Sequence, residues 1–338
     1  MARARMILGR VAQALPVVAG VVVISFLLTR ALPGDPAAYF AGPAADAASI
    51  AEVREALGLD KPLIQQFFLY LGDLARGDLG QAISTGQPVA ADLAARLPAS
   101  LELTLVALVL SCAIAIPLGI LAATRPGTWV DHLCRVLVTA GVSMPTFFTG
   151  IVLIYVFYYL AGWAPSPLGR LDFIYLSPPH VTGFYLIDAA LAGDWFTWLG
   201  ALKQLILPAA TLALFTLAPI ARMTRAAMLT ALSSDFIRTA RAAGLGRGKV
   251  LYAYAFRNAL LPVVTTLGMV FSFTLGANVL VEKVFAWPGI GSYAVEALVV
   301  SDYAAVQGFV LAMALLFVAL NLVIDIAYAL IDPRIGVS

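Results

Sequence analysis

The sequence predicts an all-α polytopic membrane protein with six transmembrane helices and a structured outer helical segment after the first. Three observations carry this. The 338 residues are 62% hydrophobic and only 12% charged, and their mean hydropathy is +0.93, whereas soluble domains run near a quarter charged. Apolar stretches recur at lengths near the ~20 residues that a bilayer requires. Lysine and arginine are distributed unevenly about those stretches, as the positive-inside rule expects. A net charge of +2, with no long basic run, argues against a nucleic-acid partner and leaves membrane lipid as the partner that composition names.

The six spans fall at roughly 11–30, 100–123, 133–160, 203–221, 259–281 and 304–330. Arg3, Arg5 and Arg10 precede the first, which is too long for a signal-peptide core and has no small-residue cleavage site after it; it reads as an uncleaved span. The stretch 184–199 is interrupted by Asp188, Gly193 and Asp194 and is placed outside the membrane. Three regions follow: 1–30, the N-terminal segment with the first span; 31–99, an outer helical region; and 100–338, a core of five spans that includes an inside segment at 222–258. In that segment Arg222, Arg225, Arg238, Arg241, Arg247, Lys249 and Arg257 face a single acid, Asp235. The bias places both termini inside.

Within 31–99, Ser49 and Glu52 have the spacing of a capping box, Gly58 suits a left-handed helix stop, and Pro62 can open a second helix. Ile64, Phe67, Phe68 and Leu71 mark one apolar face. A lid, a dock for an external partner and a hairpin on the membrane surface all fit this pattern. Between the third and fourth spans, Trp163, Trp195 and Trp198 read as interfacial anchors. Cys112 and Cys134 read as buried apolar residues, not as a disulfide or a metal site.

A serine or aspartate cap at 233–235 and a glycine stop at Gly244 predict a helix of about nine residues, some 14 Å long. It carries Arg238 and Arg241, with Phe236 and Ile237 available to pack. Such a helix between two spans either enters a partner's groove or is a solvated basic loop. The run from Gly244 to Lys249 is not a phosphate-binding loop: Ala243 stands where the first glycine is needed, and Val250 where a hydroxyl should reach magnesium.

In the fifth span Gly268, Ser272 and Gly276 recur every four residues, a spacing for close helix packing or for lining a pore; Thr274 and Asn278 lie near its outer end as further pore candidates. Asn321, Asp325 and Tyr328 share a face of the last span and suggest a polar cluster, with a proton relay as the rival. His132 and His180 are too far apart in the span map to complete such a relay. Glu102 is placed at the membrane interface. Pro145, Pro208 and Pro219 interrupt spans and are candidate kinks. No Ser/His pair, zinc-binding helix or paired aspartates fall at one depth, so no catalytic constellation is expected. A proton-coupled transporter would need buried acid–base pairs near the midplane, and none is evident.

Residues 235–264, DFIRTARAAGLGRGKVLYAYAFRNALLPVV, resemble the cytoplasmic coupling segment of bacterial ABC importer permeases, specifically the dipeptide/oligopeptide/nickel branch. Residues 276–291, GANVLVEKVFAWPGIG, resemble that branch's outer loop. Ser301 to Tyr303 and Asn321 through Arg334 continue the likeness. Leu32 to Pro36, Gly58 to Pro62 and Gly77 to Gly80 resemble the B-type of the two paired permeases, and the insert from Leu168 to Trp198 is similar in plan to dipeptide permeases. Thr239, Ala240 and Arg241 stand where the general importer motif begins Glu-Ala-Ala. The resemblance implies a non-catalytic pore subunit of the bacterial inner membrane, paired with a homologous permease. It also implies two ATPase subunits that bind ATP and magnesium, and a periplasmic or lipid-anchored substrate-binding protein. Asp235, Phe236, Ile237, Arg238, Thr239, Ala240, Arg241, Ala243 and Gly244 would be the ATPase-coupling residues. Dipeptides or short peptides would be the cargo, with nickel, glutathione and opines as the family's other substrates.

Overall fold

The computed structural model describes the backbone of residues 2–31, 35–42 and 44–331, with side chains over most of this range from Leu15 onward. All regular structure among these residues is helical apart from one isolated bridge between Gln81 and Pro88. In chain order the helices are α1 (Ala2–Ala31), α2 (Pro36–Ala41), α3 (Ala47–Ala56), α4 (Leu63–Ala75), α5 (Val89–Thr124), α6 (Trp129–Val142) and α7 (Thr146–Leu153). There follow α8 (Tyr185–Leu191), α9 (Trp195–Leu232), α10 (Asp235–Ala242), α11 (Arg257–Val284), α12 (Ile290–Val299) and α13 (Tyr303–Ile331). Wider π-helical turns extend α7 over Ile154–Leu160 and lead into α11 over Lys249–Phe256.

Four helical stretches among the described residues are long and apolar enough to cross a membrane: α5, α9, Lys249–Val284 and the α13 stretch Tyr303–Ile324. The stretch 133–160, expected as one span with a candidate kink at Pro145, is two helices bent by 99°, which together have the length and apolar character of one broken span. The break has a local cause. Pro145 disfavours a helical residue before it and has no amide to donate, so α6 stops at Val142 and α7 starts at Thr146. Pro208 and Pro219 lie inside the continuous α9, and Pro98 and Pro117 inside α5. Both helices also outrun their apolar windows, to 36 and 38 residues. In α1 the apolar part with described side chains is Leu15–Leu28.

The pairing of α5 with α9 is the most extensive in the bundle, and α11 packs against α9 beside it. Small residues let α5 and α6 approach α9: a Cβ on Gly119 of α5 would stand 2.7 Å from Thr224 Cβ, and one on Gly141 of α6 2.8 Å from the Leu214 carbonyl. Around that seam Leu103, Leu205, Leu212, Val281 and Trp287 form a fully enclosed core. At the far end, Ile120, Met228, Ile237, Val250 and Ala255 form another.

The region 35–88 carries α2, α3 and α4, helical as expected, but it is capped differently. Asp46, not Ser49, caps α3: its carboxylate accepts the Ser49 amide at 2.8 Å, and the helix begins at Ala47. Gly58 follows α3 with φ +63, and Pro62 precedes α4. Of the predicted apolar face, Phe67 meets the ring of Phe26 on α1 at 5.1 Å. Ile64 and Phe68 are exposed, and the polar Gln66 is the residue buried there. The face is therefore offset from the predicted one, because α4 packs on α1 along 66, 67 and 70. Cys112 and Cys134 are free thiols.

Candidate functional site

The helix α10 is the most strongly two-sided element of the chain. Ser234 takes an extended N-cap conformation, Asp235–Ala242 is helical, and Gly244 adopts φ +72, which favours glycine. Ile237 is fully enclosed and Ala240 buried, both set among Ile120, Met228, Ala231, Val250, Ala255 and Ala259. Burying an isoleucine stabilises the contact by about 1.5–3 kcal/mol. The opposite face exposes Asp235, Phe236, Arg238, Thr239 and Arg241, and the exit residues Ala243 and Gly244 are exposed too. Arg238 pairs with Asp235 at 3.2 Å in full solvent, an arrangement that a partner can exchange at little cost. A cleft of about 870 Å³ opens beside the helix between the end of α5 and residues 245–251, with Arg125, Arg241 and Arg247 on its walls. The short helix is thus held by its own chain while it presents cations, an aromatic ring and a neighbouring cleft outward. Gly244 to Lys249 forms the turn after α10 and the entry to the π-helical segment, not a loop between strand and helix.

The five residues singled out in the fifth span separate into three environments. Gly268 faces α13, where a Cβ would stand 2.3 Å from Ile324 Cδ1, so it is a close-packing position. Thr274 and Asn278 are buried against their own chain; Thr274 Oγ1 donates to the Val270 carbonyl, and Asn278 Nδ2 donates to Ser100 O, Thr104 Oγ1 and Glu282 Oε1. Ser272 is half-buried and its hydroxyl donates to Gly268 O. Gly276 is exposed, with open space where a side chain would stand.

Asn278 belongs to a buried network that sequence reasoning did not assemble. Its centre is Glu282, 1% exposed, which accepts from Ser100 Oγ at 2.5 Å, Asn278 Nδ2 at 3.0 Å and the Ser292 amide at 2.8 Å. Ser100 Oγ in turn accepts the Ile290 amide at 2.9 Å. This ties α5, α11 and the start of α12 to one carboxylate. Gly289 and Gly291 admit it: a Cβ on Gly289 would stand 2.2 Å from Glu282 Oε1. Trp287 Nε1 donates to the Ala99 carbonyl at 2.9 Å and closes the same corner.

Glu102 is buried and paired with Arg170 at 2.5 Å. Arg170 also donates to the Gly183 carbonyl at 2.8 Å and lies 3.5 Å over the Tyr185 ring, while the Leu186 amide donates to Glu102 Oε1. The insert folds back and covers the carboxylate. Asp188 organises the insert further by accepting the amides of Val181, Thr182 and Gly183 and the Thr182 hydroxyl. Burial pushes the Asp188 carboxyl up, but these hydrogen bonds outweigh it and hold the group below its ordinary value.

On the last helix, Asn321 is exposed and donates to the Phe317 carbonyl; the side chains of Asp325 and Tyr328 lie outside the described residues, as do Pro33, Gly34 and Arg334 of the quoted motifs. His132 contacts Arg135 at 2.6 Å on the surface, and no grouping able to hold a metal ion occurs among the described residues.

Comparison with known proteins bears on what this arrangement serves. The family described as the binding-protein-dependent transport system inner membrane component matches residues 115–337, and the N-terminal region of such membrane components matches residues 3–104. The chain is 48% identical over 321 residues to the probable D,D-dipeptide transport system permease protein DdpB of Escherichia coli strain K12, covering 95% of this chain and 94% of the relative. It is 42% identical over 327 residues to the di/tripeptide transport system permease protein DppB of Pseudomonas aeruginosa strain UCBPP-PA14, covering 96% and 97%. It is 39% identical over 321 residues to the dipeptide transport system permease protein DppB of Alkalihalophilus pseudofirmus, covering 95% and 96%.

Proposed function

This chain belongs to the binding-protein-dependent transport system inner membrane components, the permease subunits of ABC importers, and we propose that its cargo is short peptides. The relatives named for dipeptide and di/tripeptide transport support that cargo, at 39–48% identity over nearly the full chain. In this reading α1, α5, the bent α6–α7 pair, α9, the Lys249–Val284 helix and α13 make six crossings of the inner membrane, with both termini cytoplasmic.

The pore forms against a homologous permease. Ser272 and Gly276, accessible on α11, are the residues of this chain offered to the path, while Gly268, Thr274 and Asn278 set the helix behind them. A periplasmic or lipid-anchored binding protein delivers the peptide. Two ATPase subunits bind ATP and magnesium and do the hydrolysis, and this chain contributes no catalytic group.

The observation that carries the coupling assignment is the division of α10. Ile237 and Ala240 lock it to the bundle, and Phe236, Arg238, Thr239 and Arg241 are left outward beside the cleft. A partner that grips the outer face moves the ends of α9 and α11 together, because α10 is joined to both by short turns. ATP-driven closure then becomes helix rotation and alternating access.

Co-purification in detergent of wild type and Arg238→Glu/Arg241→Glu, followed by an ATPase assay, tests this. Wild type should bring a nucleotide-hydrolysing partner, and the double variant should insert normally but lose it. Equal recovery of ATPase with both chains would overturn the docking role. Uptake of nickel without any peptide uptake would overturn the cargo.

A further inference from the structure

A second pocket lies between α5, α6 and α9 at the end of the bundle that carries α10. It encloses about 260 Å³ and is lined by Leu118, Gly119, Cys134, Val138 and Ala221 with Arg135, Arg222 and Arg225 at its edge. Gly119 lets α5 approach α9 closely enough to form the floor. The charge around it does not balance. Asp131 is buried and held by Arg225, whose Nε and Nη2 each donate to it at 2.8 Å, while Arg135 stays 3.9 Å away at its rim. Among the described residues no ion pair joins Arg222 to an acid, and His132 beside Arg135 brings no negative charge. Three arginines against one carboxylate leave an excess of two positive charges over a mainly apolar pocket.

The surface that continues from the pocket has the character of a lipid contact. On α6, Trp129, Leu133 and Val136 are 74%, 47% and 63% exposed, next to the pocket-lining Cys134, Arg135 and Val138. Tryptophan at that position suits the headgroup level, and the leucine and valine suit acyl chains. The cavity lies below the roughly 300–1,000 Å³ that accommodates drug-sized ligands, a size that suits a single headgroup.

We propose that this pocket is a binding site for an anionic phospholipid. Its phosphodiester sits between Arg135 and Arg222, and its acyl chains run along the exposed face of α6. Arg225 remains committed to Asp131 and fixes α6 against α9, so the lipid would bridge the same two helices beside that pair.

The test uses the assembled transporter, delipidated in mild detergent. Bound lipid is read by native mass spectrometry after addition of phosphatidylglycerol, phosphatidylcholine or inorganic phosphate. Wild type should retain phosphatidylglycerol over phosphatidylcholine. Arg135→Gln/Arg222→Gln should weaken that retention by roughly fivefold for each arginine removed, the scale of one basic residue near an anionic surface. Arg222→Gln alone, which leaves Arg135 and the Asp131–Arg225 pair in place, should lose about half of the effect in logarithmic terms and serves if the double variant does not assemble. Equal retention of the two lipids, or unchanged retention in the variants, overturns the site. Displacement of phosphatidylglycerol by inorganic phosphate at equal concentration would assign the pocket to small phosphate anions instead.

Discussion

Arg170 Nη2 donates to Glu102 Oε2 at 2.5 Å, with both side chains buried, 6% and 4% exposed, and 68 residues apart in sequence. The pair fastens the insert between α7 and α9 to the first half of α5. Because the Gly183 carbonyl, the Leu186 amide and the Tyr185 ring also engage it, the pair is a polar anchor of the insert beside the apolar packing of Leu186 and Tyr175. Many of its large apolar residues face outward, Phe173 and Leu176 among them.

Breaking one half of this pair should therefore be worse than removing both. Glu102→Gln leaves a buried guanidinium without its anion, a defect of about 3–5 kcal/mol in comparable buried pairs. Glu102→Gln/Arg170→Met should recover part of it. Thermal unfolding in detergent, with limited proteolysis of 161–194, measures both; additive losses in the double variant would show that the two groups act independently.

For α10 the two faces should separate by assay. Ile237→Ala removes the enclosed side chain from a close-packed site, which costs about 2–5 kcal/mol in such cores. It should free the helix, so that trypsin cuts faster at Arg238 and Arg241 in the isolated chain. Phe236→Ala, on the 41% exposed side, should leave the tryptic rate unchanged. Equal acceleration by both would mean that α10 is not anchored through Ile237.

This contrast also marks what could be read from sequence. The existence of α10, its cap near Ser234 and its stop at Gly244 were legible because each is a local signal within a few residues. The apolar windows of α5, α9, α11 and α13 were legible for the same reason, but not their full lengths. Helices continue past the apolar zone wherever caps and packing allow. The bend between α6 and α7 was legible as a candidate kink at Pro145, but its 99° angle was not. Glu102 and Glu282 were not legible. Their partners Arg170, Ser100 and Ser292 lie 68, 182 and 10 residues away, and only the folded chain brings them together. Gly289 and Gly291, either side of Ile290, were the available hints.

The glycines of the α11 region make opposite predictions. Gly289→Ala would drive a Cβ to 2.2 Å from Glu282 Oε1 and should disrupt the turn between α11 and α12. Gly276→Ala meets nothing within 4 Å and should leave stability unchanged, or raise it by up to about 1 kcal/mol as a helical glycine replaced by alanine. A transport defect in Gly276→Ala with a normal melting temperature would then locate Gly276 at the path or at the partner permease. Normal transport would remove it from both.

The insert should also respond to acid in a defined direction. The hydrogen bonds from Val181, Thr182 and Gly183 hold the folded-state pKa of Asp188 below its ordinary value. A carboxylate depressed in this way contributes stability that is fully present above its unfolded pKa, near 3.9, and is lost as pH falls through the folded value. Protonation gives the amides a weaker acceptor, so 178–194 should loosen below about pH 4 while the spans persist. Hydrogen exchange of the Thr182 and Gly183 amides against pH measures this. Asp188→Asn should exchange rapidly at neutral pH and lose the acid-dependent step. An unchanged step in that variant would assign the response to another group.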